Sequence, residues 1–300
     1  MNWGETMPPP VEAGRELAFD WPIPATTIVV RDRAGDMPLP CDLPPWTWHA
    51  GPDGFTMHFG GFGIAQVRPG DRLDYLPITD HGDEAIRQAL MTSPFGAQVH
   101  LRGDLPLHAA TLVSPDGRAC AAVCGESGSG KSTTAAALVQ AGWSVLCDDI
   151  SRVSTGDEVL VHRGFGRIKL HRDACDRLGL VADSMERALG AQRKFLLDAP
   201  VASGPCRPDA IIVLARREPQ ATDSPMQLKR VCLPAAIECL ARQTYRHQLI
   251  VPLDATARHF RHMSALLACV PLVELSCSTD VTPSRIAERI AAFVRTREPR

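Results

Sequence analysis

The sequence predicts an α/β protein with a small β-rich domain at its N-terminal end. Three observations predict it. Strand-like and helix-like runs alternate from about Leu105 onward. Residues 125–132, GESGSGKS, form a glycine-rich turn between an apolar run and an alanine-rich one. Residues 1 to about 82 carry short alternating runs broken by prolines and glycines. Strands alternating with helices pack as a layered core, whereas period-two runs between turn residues mark half-buried strands.

The early strands fall at residues 27–30, 55–59, 62–67 and 73–78, with Phe55, Met57 and Phe59 on one side of theirs. Trp46 and Trp48 of WTWHAG share one side of a further strand, which suits core packing; nearby prolines suit an edge where a peptide adds as a strand. Residues 83–91 place Ile86 and Leu90 one helical turn apart, and Ser93-Pro94 supplies an N-cap and a first-turn proline for a second short helix. Later strands are expected at 119–124, 144–147, 167–170, 210–214, 227–231, 249–251 and 272–275. Helices are expected at 131–141, 235–241, 255–268 and 283–295, with Gly142 stopping the first. The domains are therefore 1–100, β-rich and ending in a helical connector, and 101–300, the α/β part.

Composition narrows the function. A hydrophobic share of 45%, a charged share of 22% and a net charge of -2 describe an ordinary globular chain. They offer no bulk electrostatic argument for nucleic acid or an anionic membrane as partner. The opening residues contain no apolar run of the secretory kind, and no stretch is long enough to span a bilayer, so a cytoplasmic protein is expected. Ten cysteines include no C-x-x-C pair. Most of them, Cys147, Cys232 and Cys269 included, lie in apolar runs, where a reduced thiol behaves as a small buried hydrophobe.

GESGSGKS fits G-x-x-x-x-G-K-[ST] between a strand and a helix. Gly125, Gly128 and Gly130 let the backbone turn so that N–H groups of the loop, Glu126, Ser127 and Ser129 included, point inward at phosphate oxygens. The helix N-terminus at Lys131, Ser132 and Thr133 adds its positive end. The Lys131 ammonium neutralises the outer phosphates, and the Ser132 hydroxyl can ligate Mg²⁺. ATP and Mg²⁺ are the cofactors this implies.

Asp148 and Asp149 end the strand that follows the loop helix. On a parallel sheet that end opens on the loop's edge. Adjacent carboxylates on an extended chain point to opposite sides, so one can face the metal while the other faces the acceptor and takes its proton. A capping role in the turn is the alternative.

The run LHAATLV…GRACAAVCGESGSGKSTTAAALVQAGWSVLCDDISRV resembles the catalytic domain of the HPr kinase/phosphorylase family, with a PEP-carboxykinase-like core. RGFGRIKL at 163–170 resembles its arginine-glycine signature, although Val161 replaces the usual glutamate and Thr133 the glutamate after the loop serine. The resemblance spans about 105–180. It implies Asp149 as the base, His108 beside the acceptor, Lys131 on the phosphates, Ser132 and Asp148 on Mg²⁺, and Arg163 near the nucleotide. The acceptor it implies is a serine of a peptide or small protein. The layout looks most like divergent HPr-kinase-like proteins, among them lasso-peptide tailoring kinases. Members often form homo-oligomers.

Arg177, Arg193, Lys194 and Arg207 are candidates for clamping the transferred group, against solvated faces. Arg246, His247, Arg258, His259, Arg261 and His262 form a basic cluster suited to an acidic peptide or phosphate, against a plain charged helix face. Rival functions are a small-molecule kinase, a nucleotide-hydrolysing switch and a nucleotide-binding regulator without transfer.

Overall fold

The period-two runs of the N-terminal part pair into one sheet. Its strands are β1 (Arg15–Glu16), β2 (Thr27–Val30), β3 (Trp48–Gly51), β4 (Gly54–His58), β5 (Gly63–Val67) and β6 (Arg72–Pro77), in the order β1-β2-β6-β5-β4-β3. The computed structural model describes residues 14–17, 21–32, 43–70, 72–188, 194–219 and 224–296. Cys41, Arg193 and most of the opening residues lie outside that set. Phe55, Ala65, Val67, Leu73 and Tyr75 are all but fully buried on one face. Beneath them Asp74 accepts from Arg31 Nε at 2.8 Å, both side chains being buried. Trp46 and Trp48 do not share a side. Trp46 sits in a turn at φ 64 and is 61% exposed, whereas Trp48 opens β3 and stacks on Phe55.

Two helices cover this sheet, α1 (Asp83–Leu90) and α2 (Ser93–Arg102). Thr92, rather than Ser93, is the N-cap of α2, and Pro94 lies in its first turn. The helix is buried along most of its length and runs through residues 100 and 101. It packs against β4 and β5 and also against β7 (Leu105–Leu107). Phe95 and Val99 belong to one core with Ile150, Phe165 and Leu249, so the two halves of the chain share apolar packing.

The larger sheet follows. Its strands are β8 (Ala110–Val113), β9 (Cys120–Gly125), β10 (Ser144–Cys147), β16 (Ala210–Arg217), β17 (Met226–Arg230) and β18 (Leu272–Ser278). Their order is β10-β8-β9-β16-β18-β17, with β9, β16 and β18 mutually parallel. Two three-stranded sheets flank it. One pairs β11 (Ser151–Thr155) with β12 (Val159–Val161) and β7; the other pairs β15 (Lys194–Asp198) with β13 (Arg167–His171) and β14 (Glu186–Arg187). The helices are α3 (Lys131–Gln140), α4 (Arg172–Arg177), α5 (Leu233–Arg242), α6 (Thr256–Cys269) and α7 (Pro283–Arg295). Ala135, Ala136 and Ala137 are small enough to bring α3 close against the sheet, and α7 packs beside it.

Two expectations need correction. Residues 249–251 are no strand: a 3-10 turn at His247–Leu249 runs into further turns, with Leu249 fully buried. A three-residue apolar run reads alike as strand or buried turn. Cys232 and Cys269 are exposed, because each stands at the end of a helix, whereas Cys120, Cys124, Cys147, Cys175 and Cys277 are buried thiols. No helix among the described residues is long and apolar enough to cross a membrane.

Candidate phosphate-loop site

Strand direction assembles the site. β10 pairs antiparallel with β8, and β8 antiparallel with β9, so two reversals return β10 to the direction of β9. β8 stands between β10 and β9, and the end of β10 opens on the loop's edge. Cys147 is opposite Thr111, Thr111 opposite Ala122, and Ala110 opposite Val123. Continuing the register brings Asp148, Asp149 and His108 to the edge where Gly125 starts the loop.

The glycines take the conformations the motif requires: φ is 147 at Gly125, 82 at Gly128 and 94 at Gly130. A side chain at Gly125 would meet Ser129 Oγ at 2.5 Å and the Leu214 carbonyl at 2.7 Å. Glu126, Ser127 and Gly128 form the exposed crest, while Ser129 is buried and its Oγ has no hydrogen-bond partner among the described residues. No side chain caps α3, so the N–H groups of Lys131, Ser132 and Thr133 face the loop without a helical partner. Lys131 Nζ donates to the carbonyls of Gly125 at 2.7 Å and Glu126 at 3.2 Å. Burial lowers the pKa of this ammonium, with Cys124, Asp149, Asp148 and Glu126 acting the other way. An uncapped helix start, a glycine loop and a half-buried ammonium converging on one edge fit an anionic phosphate chain.

The two aspartates have different surroundings. Asp148 is buried, at 4% exposure, and its Oδ2 accepts from the Lys169 amide at 3.1 Å. Burial, with the neighbouring Asp149 charge, pushes its pKa up to about 6. Asp149 occupies the left-handed region at φ 72, which Asp tolerates better than most residues. That turn brings its side chain out, 31% exposed, to within 3.4 Å of His108 Nε2 and 3.7 Å of Lys169 Nζ. Burial opposes its ionisation, but the His108 hydrogen bond and the charges of Lys169, His108 and Lys194 outweigh it and hold the carboxyl well below the usual range. Asp149 is thus the more exposed carboxylate of the pair and the one whose surroundings favour the charged form.

Sequence reasoning missed four residues here. Lys169 stands between the Asp149 carboxylate and the Phe165 ring, 5.5 Å from the ring centre. Gln243 Oε1 accepts from the Gly125 amide at 2.8 Å, and the Gln243 carbonyl accepts from the His108 amide at 2.7 Å. The Tyr245 ring meets the His108 ring edge-on. Arg216, at the end of β16, donates to the carbonyls of Ser129 and Ser278. Lys169 left a trace, as the polar residue between buried Ile168 and Leu170; the other three stand about 90–120 positions from the loop and left none.

Among the expected clamps, Lys194 heads β15 and its charge reaches Asp149. Arg177 is exposed, and Arg207 precedes β16 at the sheet edge opposite the loop. Arg163 is exposed on the segment 162–166, which lies along β10 through bonds from Gly164 to Leu146 and from Asp148 to Phe165. The basic cluster disperses. His259 is buried against Thr244, and Arg246 donates to Ser93, leaving Arg258, Arg261 and His262 on a separate groove. No cluster of three or more His, Cys, Asp or Glu among the described residues could hold a metal by itself.

No family model matches the chain, and no curated protein matches it. Among solved structures, the chain is similar to the HPr(Ser) kinase/phosphatase from Coxiella burnetii. The TM-score is 0.32 and the identity 12%, covering 63% of this chain and 93% of that one. A superposition of that quality bears on neither fold nor chemistry here.

Proposed function

We propose that the protein is a phosphotransferase that moves the terminal phosphoryl group of ATP to a hydroxyl, with a serine of a peptide or small protein as acceptor. One observation carries the reading: an ionised, solvent-reaching Asp149 carboxylate beside His108, at the edge where Lys131 and the first turn of α3 present their donors. A bound Mg²⁺–ATP would supply the electrophilic phosphoryl group and a metal to neutralise its charge.

The chain's own residues do the rest. The loop amides and Lys131 hold the phosphate chain, exchanging the present Lys131 bonds to loop carbonyls for phosphate oxygens. Ser132 and Asp148 are the residues that would hold magnesium; Mg²⁺ keeps several waters, so two protein ligands suffice. Asp149 accepts the proton of the incoming hydroxyl, and His108 orients that carboxylate from its acceptor side. The His108 and Asp149 side chains are about a third exposed, at 37% and 31%, an open approach that suits a chain better than an enclosed small molecule.

The test is transfer of label from γ-labelled ATP to serine peptides, read by intact mass, for the native protein and Asp149→Asn. The variant should bind ATP normally and transfer about 10²–10⁴ times more slowly. ATP consumption by the native protein with no phosphorylated acceptor, or an unimpaired variant, would sink the proposal.

A further inference from the structure

A groove of about 490 Å³ lies apart from the loop, lined by Arg102, Gly103, Thr155, Arg258, Arg261 and His262. Three elements build it: the last turn of α2, the end of β11, and one face of α6, where positions 258, 261 and 262 lie together. Gly103, at φ 87, has no side chain and lets the Arg258 stem cross it; a Cβ there would sit 3.3 Å from Arg258 Cδ. Arg258 Nη2 is fixed on the His100 carbonyl at 2.8 Å, and His262 is bonded to Thr155 Oγ1. Asp104, next to Gly103 in the chain, is already paired with Arg152 at 2.9 Å, and Asp157 and Glu158 lie in the exposed turn beyond Thr155. Arg102 and Arg261 are exposed residues. Arginine heads spread over two elements, Arg102 on α2 and Arg258 and Arg261 on α6, suit several carboxylates in a row better than one small anion, which requires donors converging on a point.

The groove connects to the proposed active site through one pair of strands. β7 leads from Gly103 to His108, and β11 runs back from Thr155 to the turn holding Asp149, paired antiparallel with it. Five or six extended residues on either route span about 15–20 Å. We infer that this groove is a docking site for an acidic segment of the acceptor polypeptide, about five residues from the serine that Asp149 activates. The inference deepens the kinase reading and rests on it.

Two fluorescein-labelled synthetic peptides test it by anisotropy with the full-length protein and no nucleotide. One carries a serine, a five-residue glycine–alanine spacer and four glutamates; the other has four glutamines instead. The glutamate peptide should bind about tenfold tighter at low salt, with the advantage fading near about 0.5 M salt. Arg258→Gln with Arg261→Gln should abolish the advantage. Arg261→Gln alone, at an exposed residue with no folding role, should reduce it. Equal binding of the two peptides, or an advantage that neither variant alters, overturns the inference; so does displacement by inorganic phosphate as effective as by tetraglutamate. Binding is read without turnover, so the two readings fail separately. Phosphate transfer without a glutamate preference removes only the docking site. An arginine-dependent preference with no transfer removes the kinase and the acceptor role, and leaves the groove as a site for an acidic peptide.

Discussion

His108 Nε2 stands 3.4 Å from Asp149 Oδ1, and the two residues reach that contact from one end of a strand pair, His108 just before β8 and Asp149 just after β10. His108 fills the bend between β7 and β8, while Asp149 fills the turn between β10 and β11, at a backbone angle few side chains accept. A non-glycine residue in the left-handed region costs about 1–2 kcal/mol, and here that conformation turns a carboxylate out of the core toward the loop.

His108→Ala should move the acid limit of transfer. Asp149 has a depressed folded pKa, so it stays charged down to pH values below the ordinary carboxylate range. Removing the His108 hydrogen bond raises that pKa, and the acidic limb of the pH–rate profile should shift upward. Rates measured in both proteins from neutral pH down to below about pH 4, where the native carboxylate begins to titrate, read this directly. A limb that stays in place would mean that His108 does not hold the carboxylate.

Asp148 has the opposite sign. Its folded pKa is raised from 3.8 to about 6, so the folded protein takes up a proton that the unfolded chain releases within that window. Stability from this group therefore rises as pH falls from about 6 toward 4, by at most about 3 kcal/mol. Asp148→Asn should flatten the curve of melting temperature against pH there. Asp149, with its lowered pKa, contributes stability that is lost only on further acidification, so the two effects separate along the pH axis.

Gly164→Ala should unseat the segment that braces the aspartates. A Cβ at Gly164 would lie 2.8 Å from Cys147 Cβ, yet the Gly164 amide must reach the Leu146 carbonyl at 2.9 Å. Overpacking of this kind costs about 1–3 kcal/mol. The denaturant midpoint should fall, and transfer should fall with it, because the Asp148 amide bonds to Phe165 in the same segment. Normal stability would mean that the segment is not pinned.

Much of this site could be read along the chain, for a physical reason. The glycine loop, its lysine and the aspartates are local patterns, in which each residue's proposed role follows from its neighbours in sequence. The loop's strand–turn–helix setting appeared where expected, at β9 and α3. Pairing partners were less accessible. The sequence suggested only that the end of β10 opens on the loop's edge; that β8 lies between β10 and the loop strand was not legible, because strand order along a sheet is set by contacts that no local pattern encodes. The pattern of Trp46 and Trp48 failed differently: a left-handed turn at Trp46 broke the alternation before the strand began. Gln243 was illegible, since a glutamine near a helix end carries no mark of the amide it will meet 118 positions away.

Gln243 is also the residue whose replacement most sharply tests how the loop is held. Its side chain accepts from the buried Gly125 amide and its carbonyl accepts from the His108 amide, so one residue ties the glycine loop to His108. Gln243→Leu leaves the Gly125 N–H without a partner, a loss of about 1–3 kcal/mol. The melting temperature should drop, and nucleotide affinity should weaken with it. Gln243→Glu keeps an oxygen for that amide but places a negative charge beneath the loop. It should regain stability relative to the leucine variant while binding ATP no better, because the added charge repels phosphate. If the glutamate variant bound ATP as the native protein does, the triphosphate would have to lie elsewhere than over Gly125, and the loop would lose its assigned role.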